Sequence, residues 1–418
     1  MALTVSVDEL VNNSKNPLLQ SRAGWGRVRL GEIATVLNGY AFKSDLFTRD
    51  EGVPLIRIRD VGSSASETRY KGEFDTRYLV KAGELLVGMD GDFNCARWRG
   101  EPSLLNQRVC KITVHSKKYD DRFLDYLLPG YLKAINVATS STTVKHLSSR
   151  SIEEIPLPMP PLAEQVEIVQ EIEKQFSRLD EAVANLKRVK ANLKRYIAAV
   201  LKAAVEGRLV PTDGNWKTLA LGDIALSIRN GYSSKPDAES GTPILRISAV
   251  RPMALDVADV RYLSGALKEY ESFLISPGDV LFTRYNGNRD YVGVCACVPP
   301  GIEQTVYPDK LIRVRVPVST LLPEFLAIAA STGNTRAFLE SKIRTTAGQS
   351  GISGGDLKAL PLVLPSPVEQ RRIVDEIDLR FTLICGVEAQ VDANLKRAER
   401  MRQAVLQTAF TASPDARQ

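Results

Sequence analysis

Residues 156–176 read PLPMPPLAEQVEIVQEIEKQF, and residues 361–381 read PLVLPSPVEQRRIVDEIDLRF. At a fixed offset of 205, ten of these 21 positions are identical. Ala199-Val200-Leu201 matches Ala404-Val405-Leu406 at the same offset, so the segment is duplicated without a gap. In each copy a proline-rich linker opens a long run with helical periodicity. After the first linker, apolar residues fall at Val166, Val169, Ile172, Phe176, Leu179, Val183, Leu186, Val189, Leu193, Ile197 and Val200. In the second they fall at Val374, Ile377, Phe381, Ile384, Val387, Val391, Leu395, Ala398, Met401 and Val405. Steps of three and four make a helical stripe, and its narrowness predicts a coiled-coil seam. No proline interrupts residues 162–210, and Gly207 is a natural stop. At about 1.5 Å per residue such a helix reaches roughly 70 Å.

The duplication extends outward from the linkers. Trp25 precedes Leu30-Gly31-Glu32-Ile33-Ala34, as Trp216 precedes Leu221-Gly222-Asp223-Ile224-Ala225, and each copy continues into Asn-Gly-Tyr (Asn38-Gly39-Tyr40; Asn230-Gly231-Tyr232). PLIRIRDV from Pro54 matches PILRISAV from Pro243, and KAGELLVGMDGDFN from Lys81 matches SPGDVLFTRYNGN from Ser276. These apolar runs are bounded by Gly, Pro, Asn or Asp and read as strands. Two related α+β globules are expected, each a twisted sheet with helices.

Charge along the first long run is polarised. Residues 162–183 hold six acids against two bases, whereas residues 184–208 hold seven bases against Glu206 alone. That order suits the helix dipole. It also means that antiparallel pairing of the two runs sets acidic against basic halves. The expected object is a pseudo-two-fold pair of heads separated by an antiparallel coiled coil. A fixed separator between duplicated heads suits a target with two marks at set spacing, such as duplex DNA.

Composition narrows the chemistry. The chain has 418 residues, 44% hydrophobic and 25% charged, which is ordinary for a globular protein. Its 55 Lys and Arg against 49 Asp and Glu leave +6, a surplus that permits a polyanion partner without demanding one. No apolar run of about 18 residues exists, so no membrane span is expected. The start, MALTVSVDELVNNSK, has no basic segment leading an apolar one, so no secretory signal is expected. Five cysteines fit a reducing, cytoplasmic setting. With only His115 and His146, histidine-based catalysis has few carriers. Cys295-Ala296-Cys297 places two small residues on one strand face more readily than it makes a metal site. His146 is either a phosphate contact or a plain surface histidine.

The pattern resembles the specificity subunit of type I restriction–modification systems. The residues that carry the likeness are IPLPMPPLAEQ from Ile155, LPLVLPSPVEQ from Leu360, LVGMDGDFN from Leu86, LLNQRVCKI from Leu104 and PGDVLFTRYNGN from Pro277. The repeats bound the globules at 25–155 and 216–360, with linkers and long helices over 156–210 and 361–413 and an N-terminal segment over 1–24. The resemblance implies that the globules are target recognition domains. It implies that each domain reads half of a split double-stranded DNA site. Two modification (methyltransferase) subunits and translocating restriction subunits would dock on the chain, and S-adenosylmethionine, Mg and ATP would reside in those partners. No catalytic residue, cofactor or metal is expected in this chain. Its Pro-Pro pairs, MPPL at 159–162 and VPPG at 298–301, do not make an adenine methyltransferase motif, and no GxxxxGK[ST] loop exists. A coiled-coil scaffold whose heads bind protein or glycan is the alternative.

Base reading needs Arg or Lys for guanine, Asn or Gln for adenine, and Asp or Glu for cytosine. The duplicated loop after the AGE/PGD turn is rich in these types: it holds Asp90, Asp92, Asn94, Arg97 and Arg99 in the first head, and Arg284, Asn286, Asn288 and Arg289 beside Tyr285 in the second. Polar loops also arise simply to solvate a turn. Different side chains at the same place in both heads are what two readers of different half-sites should show. Gln107, Arg108 and Lys310 open the next strand and are DNA candidates. A Ser/Thr-rich loop precedes each long helix, from Thr139 to Lys145 and from Arg344 to Ser350. Lys145, Arg344 and Gln349 there suit phosphate contact, with capping and linker solvation as the competing role. Lys187 and Arg195 on the first helix are left unassigned.

Overall fold

The computed structural model describes residues 5–20, 24–138, 145–302, 304–346 and 348–411. It divides into two compact units, Met1–Asn185 with Asn394–Gln418 (unit 1) and Leu186–Ala393 (unit 2).

Unit 1 begins with α1 (Val7–Asn13) and β1 (Gly26–Arg29). Its main sheet comprises β2 (Ala34–Asn38), β3 (Leu85–Gly88), β4 (Cys95–Arg97) and β5 (Val109–Val114), all antiparallel in the order β2-β5-β3-β4. Helix α2 (Asp121–Ala138), strand β6 (Pro156–Met159) and the start of α3 (Leu162–Val205) follow. Unit 2 repeats the plan with β7 (Lys217–Ala220), β8 (Ser227–Asn230), β9 (Val280–Thr283), β10 (Cys295–Cys297) and β11 (Leu311–Arg315). The strand order β8-β11-β9-β10 is the same. So is the register: Val109 faces Gly88 and Ile112 faces Leu85 in unit 1, as Leu311 faces Thr283 and Val314 faces Val280 in unit 2. The one long helix α2 is replaced by α4 (Pro323–Ser331) and α5 (Gly333–Lys342), broken at Gly333, whose φ is +62°. Strand β12 (Pro361–Leu364) and helix α6 (Pro367–Thr411) complete the set.

The central strands are buried at every position, and apolar but for Thr283, because both faces are covered. Leu85 and Val87 join the core with α2, while Leu86 joins Trp98 and Leu105 on the other side. Val280 and Phe282 pack with α4, and Leu281 packs with Leu245 and Tyr307. The acid of the AGE/PGD turn caps that turn and anchors the neighbouring strand. Glu84 accepts from Lys81 N (2.6 Å) and pairs with Lys111 (2.9 Å), and Asp279 accepts from Ser276 N (2.8 Å) and pairs with Arg315 (2.6 Å).

The proline-rich linkers expected between head and helix are instead strands. β6 pairs with β1 and β12 with β7, in matching two-stranded ribbons. Proline removes a ladder donor, so its presence argued against a strand; a ribbon edge tolerates the loss. Within the N-terminal segment, α1 buries Val7 and Val11 in the core that also takes Phe410 of α6.

The long helices match the sequence expectation, and within each unit they run antiparallel. In unit 1, Arg402 pairs with Asp180 (2.6 Å) and stacks on Phe176 (4.1 Å to the ring centre). In unit 2, Lys190 pairs with Asp392 (2.6 Å) and Tyr196 Oη accepts from Arg380 (3.0 Å). Both ion pairs set a base late in one helix against an acid earlier in the other, as the charge polarity requires. They are exposed and contribute little, so the apolar seam carries the pairing. Val166, Val189, Val387 and Met401 of the expected stripe are exposed, although Met401 still lines a recess with Ile168, Ile172 and Val405 in unit 1. No described helix is long and apolar enough to cross a membrane.

The Glu-Gln pair that opens each long helix locks it to its own head. Glu164 accepts from the Trp25 indole (3.2 Å), and Glu369 takes the same role beside Trp216 (3.4 Å). Glu369 also accepts from Thr212 Oγ1 (2.5 Å), Ser366 N (2.9 Å), Ser366 Oγ (2.8 Å) and Asp213 N (3.0 Å). These bonds, led by that from Thr212, hold its carboxyl at about 2, below the roughly 4.3 of a free glutamate. A folded-state value below the unfolded one adds stability above about pH 4.3 that is lost as pH falls toward 2. Glu369→Gln should therefore flatten the acid limb of unit 2 unfolding across that window, followed by Trp216 fluorescence. An unchanged acid limb would contradict the assignment.

Candidate nucleic-acid interface

In each unit the central strand carries the chain into an exposed loop, and the neighbouring strand starts beside it. The repeated Asn-Gly-Tyr motif fixes that junction. Tyr40 N donates to Leu105 O and Gln107 N to Tyr40 O, both at 2.9 Å. Likewise Tyr232 N donates to Tyr307 O (2.8 Å) and Asp309 N to Tyr232 O (2.7 Å). The far side of the loop is closed by the segment before the linker strand. Gly91 N donates to Lys145 O (3.0 Å) and Leu147 N to Met89 O (2.7 Å); in unit 2, Tyr285–Asn286 pairs with Ser350–Gly351.

In unit 2 this construction lines a cleft of about 700 Å³. It brings together Tyr285, Asn286, Asn288, Lys310 and Gln349, five of the residues singled out in the sequence. Asn286 and Asn288 each use the side-chain oxygen on a backbone N–H (2.9 and 3.0 Å), which leaves the amide nitrogens as donors. Arg284 stacks on Tyr285 (4.6 Å) and donates to Asp309 O (3.3 Å), so it supports the wall. Arg289 turns away to Glu340 O on α5 (3.4 Å). Arg344 is exposed on the adjoining hairpin. The cleft also contains Lys235, Arg246, Arg251 and Arg261, which the sequence reading missed. All four are exposed; Arg246 pairs with Asp259 (3.3 Å) and Arg251 stacks on Tyr291 (4.9 Å). Arginine inside the PILRISAV run was the available sign, but only the fold gathers residues 235–349 around one opening.

Unit 1 places its candidates differently. Asp90, Arg108 and His146 converge: His146 Nδ1 lies 2.5 Å and Arg108 Nη1 3.5 Å from Asp90 Oδ1. His146 is thus half-buried in a charged cluster and is not a plain surface histidine. Asp92, Asn94 and Gln107 are exposed around the loop. Arg97 is not in the loop. It lies on β4, and its guanidinium is held by Asp121 and Asp125 of α2 (2.5 Å each) and by Gly83 O. Burial pushes the Asp125 carboxyl up from its usual value while Arg97 pulls it back. This buried-edge pairing makes Arg97 a strut between sheet and helix. Arg99, farther along the same segment, shares a recess with Asp125 and Pro129. Lys145 is spent on Asn136, whose carbonyl and side-chain oxygen it reaches. The Ser/Thr-rich residues 139–144, and Ala347, lie outside the described residues.

Cys295 and Cys297 sit on β10, and burial pushes both thiols up to about 12. Among the described residues no group of three His, Cys, Asp or Glu is placed to hold a metal ion.

The family model "Type I restriction modification DNA specificity domain" matches residues 22–195. The chain is 35% identical to the type I restriction enzyme EcoBI specificity subunit of Escherichia coli, across 98% of this chain and 90% of that one. It is 30% identical to the EcoKI specificity subunit of Escherichia coli strain K12, across 93% and 88% respectively. Among solved structures, a chain from a type I restriction–modification system, described for its complex assembly and conformational transition, aligns with a TM-score of 0.67 at 17% identity, covering 94% of this chain and 99% of that one. The HsdS subunit of Thermoanaerobacter tengcongensis aligns with a TM-score of 0.55 at 17% identity, covering 94% and 98%. Two duplicated sheets, a Glu-Gln lock at the head of each long helix, and this likeness over almost the full length lead to one assignment: the chain belongs to the family of type I restriction enzyme specificity subunits.

Proposed function

We propose that the chain reads a bipartite sequence in double-stranded DNA, one half per unit, with the long helices setting the spacing between the halves. The observation that carries this is the unit 2 cleft, where hydrogen-bonding side chains at the loop are ringed by Lys235, Arg251, Arg261 and Lys310. Cations of this kind position phosphates while amides and hydroxyls address base edges. The chain supplies no chemistry of its own in this account. Methyltransferase and restriction subunits assemble on it and bring S-adenosylmethionine, Mg and ATP, and the complex works in the cytoplasm.

The test is domain exchange in the assembled modification complex. Replacing residues 25–155 with those of another family member should change one half-site and leave the other half and the spacer as they were. Mapping methylated bases genome-wide reads both halves at once. A change in both halves, or in neither, would overturn the proposal. Affinity should also fall steeply with salt while random duplex competes weakly; a protein- or glycan-binding scaffold shows neither.

A further inference from the structure

We propose that Arg108 reads a guanine in the half-site taken by unit 1, and that Asp90 and His146 are positioning residues that aim it. The inference rests on the DNA-reading function proposed above and names the residues that determine specificity on one side of it.

The first observation is backbone geometry. Arg108 has φ +70°, in the left-handed region, where residues other than glycine are uncommon. Lys310, at the same register in unit 2, is not left-handed. The turn is fixed on both sides: Gln107 N donates to Tyr40 O (2.9 Å), Met89 N to Arg108 O (2.9 Å), and Val109 N to Asn106 O (3.3 Å). Glycine would sit here without strain, so the arginine stands against the local backbone preference.

The second observation is what the side chain does. It is 55% exposed, and among the described residues its polar contacts lie on one edge, with Nη1 3.5 Å from Asp90 Oδ1 and 3.3 Å from His146 Nδ1. Asp90 is itself pinned by the His146 ring at 2.5 Å, and the two residues also form a backbone bridge. The carboxylate is therefore a fixed post. It restrains one edge of the guanidinium, and more than half of the side chain stays open to solvent. A restrained planar fork with free donors is what a bidentate contact to guanine O6 and N7 needs. A phosphate accepts the same planar fork, and the two contacts part in the test below, where loss of a phosphate contact weakens every duplex equally.

The test uses the assembled modification complex and a set of duplexes in which each position of the unit 1 half-site carries each base pair in turn. Arg108→Gly relieves the backbone, so the melting temperature should hold or rise. Preference for guanine at one position should fall roughly 10- to 100-fold, with the unit 2 half-site unchanged. Arg108→Lys should keep overall affinity and only part of that preference, since lysine reaches guanine without the planar fork. Asp90→Asn should weaken the same preference at the same position, and His146→Gln, which retains a donor toward Asp90, should restore most of what His146→Ala loses. The proposal is overturned if Arg108→Gly leaves every guanine preference intact or weakens all duplexes equally. It is equally overturned if the wild-type unit 1 half-site contains no guanine preference. Failure of DNA reading itself would look different: domain exchange would then move neither half-site.

Discussion

Replacing Gln370 by leucine should destabilise unit 2 by about 4 kcal/mol and lower its midpoint by roughly 10 °C, and Gln165→Leu should do the same to unit 1. Both side chains are fully buried. Gln370 Nε2 donates to Thr320 O (2.9 Å) and Pro365 O (3.0 Å), and its Oε1 accepts from Leu322 N (2.8 Å). Gln165 repeats the set with Lys118 O (3.0 Å), Pro160 O (2.9 Å) and Asp120 N (2.7 Å). One amide thus ties the end of the linker strand to the start of the helix that follows the sheet. Leucine fills the same space but leaves three buried backbone groups without partners, each worth about 1–3 kcal/mol. Hydrogen exchange resolves the effect by unit: peptides spanning 316–326 should lose protection in Gln370→Leu, while those spanning 114–124 should not. A loss below about 1 kcal/mol would mean the neighbouring backbone finds other partners, and the lock would not be what joins helix to head.

How much of this was open to the sequence depends on the range of the interaction. The long helices were legible because a period of three and four persists from Val166 to Val200 and from Val374 to Val405, and the seam at Phe176, Leu179, Val183 and Leu186 follows it. The central strands were legible because both copies are almost wholly apolar and bounded by turns. The linker strands were not, since Pro156, Pro158 and Pro361 speak against a ladder and only pairing with β1 and β7 overrides them. Glu-Gln was visible as a repeat, yet nothing local says that Gln165 and Gln370 are buried, because glutamine is mostly exposed. Arg97 shows the same limit from the other side. Its charge suited DNA, but Asp121 and Asp125 stand one helical turn apart on α2 and claim it. The cleft residues Lys235, Arg251 and Arg261 come from loops and short strands whose convergence is a property of the fold alone.

The Asn-Gly-Tyr repeat joins fold to function most directly, and Gly39→Ala should abolish reading by unit 1 while sparing unit 2, with Gly231→Ala doing the reverse. A methyl group on Gly39 would lie 2.0 Å from Asn106 O and 2.4 Å from its carbon, and on Gly231 it would lie 2.2 Å from both Tyr307 O and Pro308 O. Neither glycine has a left-handed φ, so alanine's own backbone preference is no obstacle; the obstacle is the opposing carbonyl, which cannot rotate aside as a side chain would. The chain must separate by an ångström or more at the bridge between Tyr40 and Asn106, or between Tyr232 and Pro308. That bridge sets where Gln107 and Arg108, or Asp309 and Lys310, emerge. Overpacking of this kind costs about 2–3 kcal/mol, which a unit of this size survives. The reading loop does not survive it in place, because base contacts depend on side chains held within a few tenths of an ångström. Half-site preference on the affected side should fall at least about 100-fold, corresponding to two lost base contacts of about 1.4 kcal/mol each. Melting measurements and base-substituted duplexes separate the two effects. A Gly39→Ala complex that still discriminates at the unit 1 half-site would show that the loop reads DNA from a frame other than this bridge.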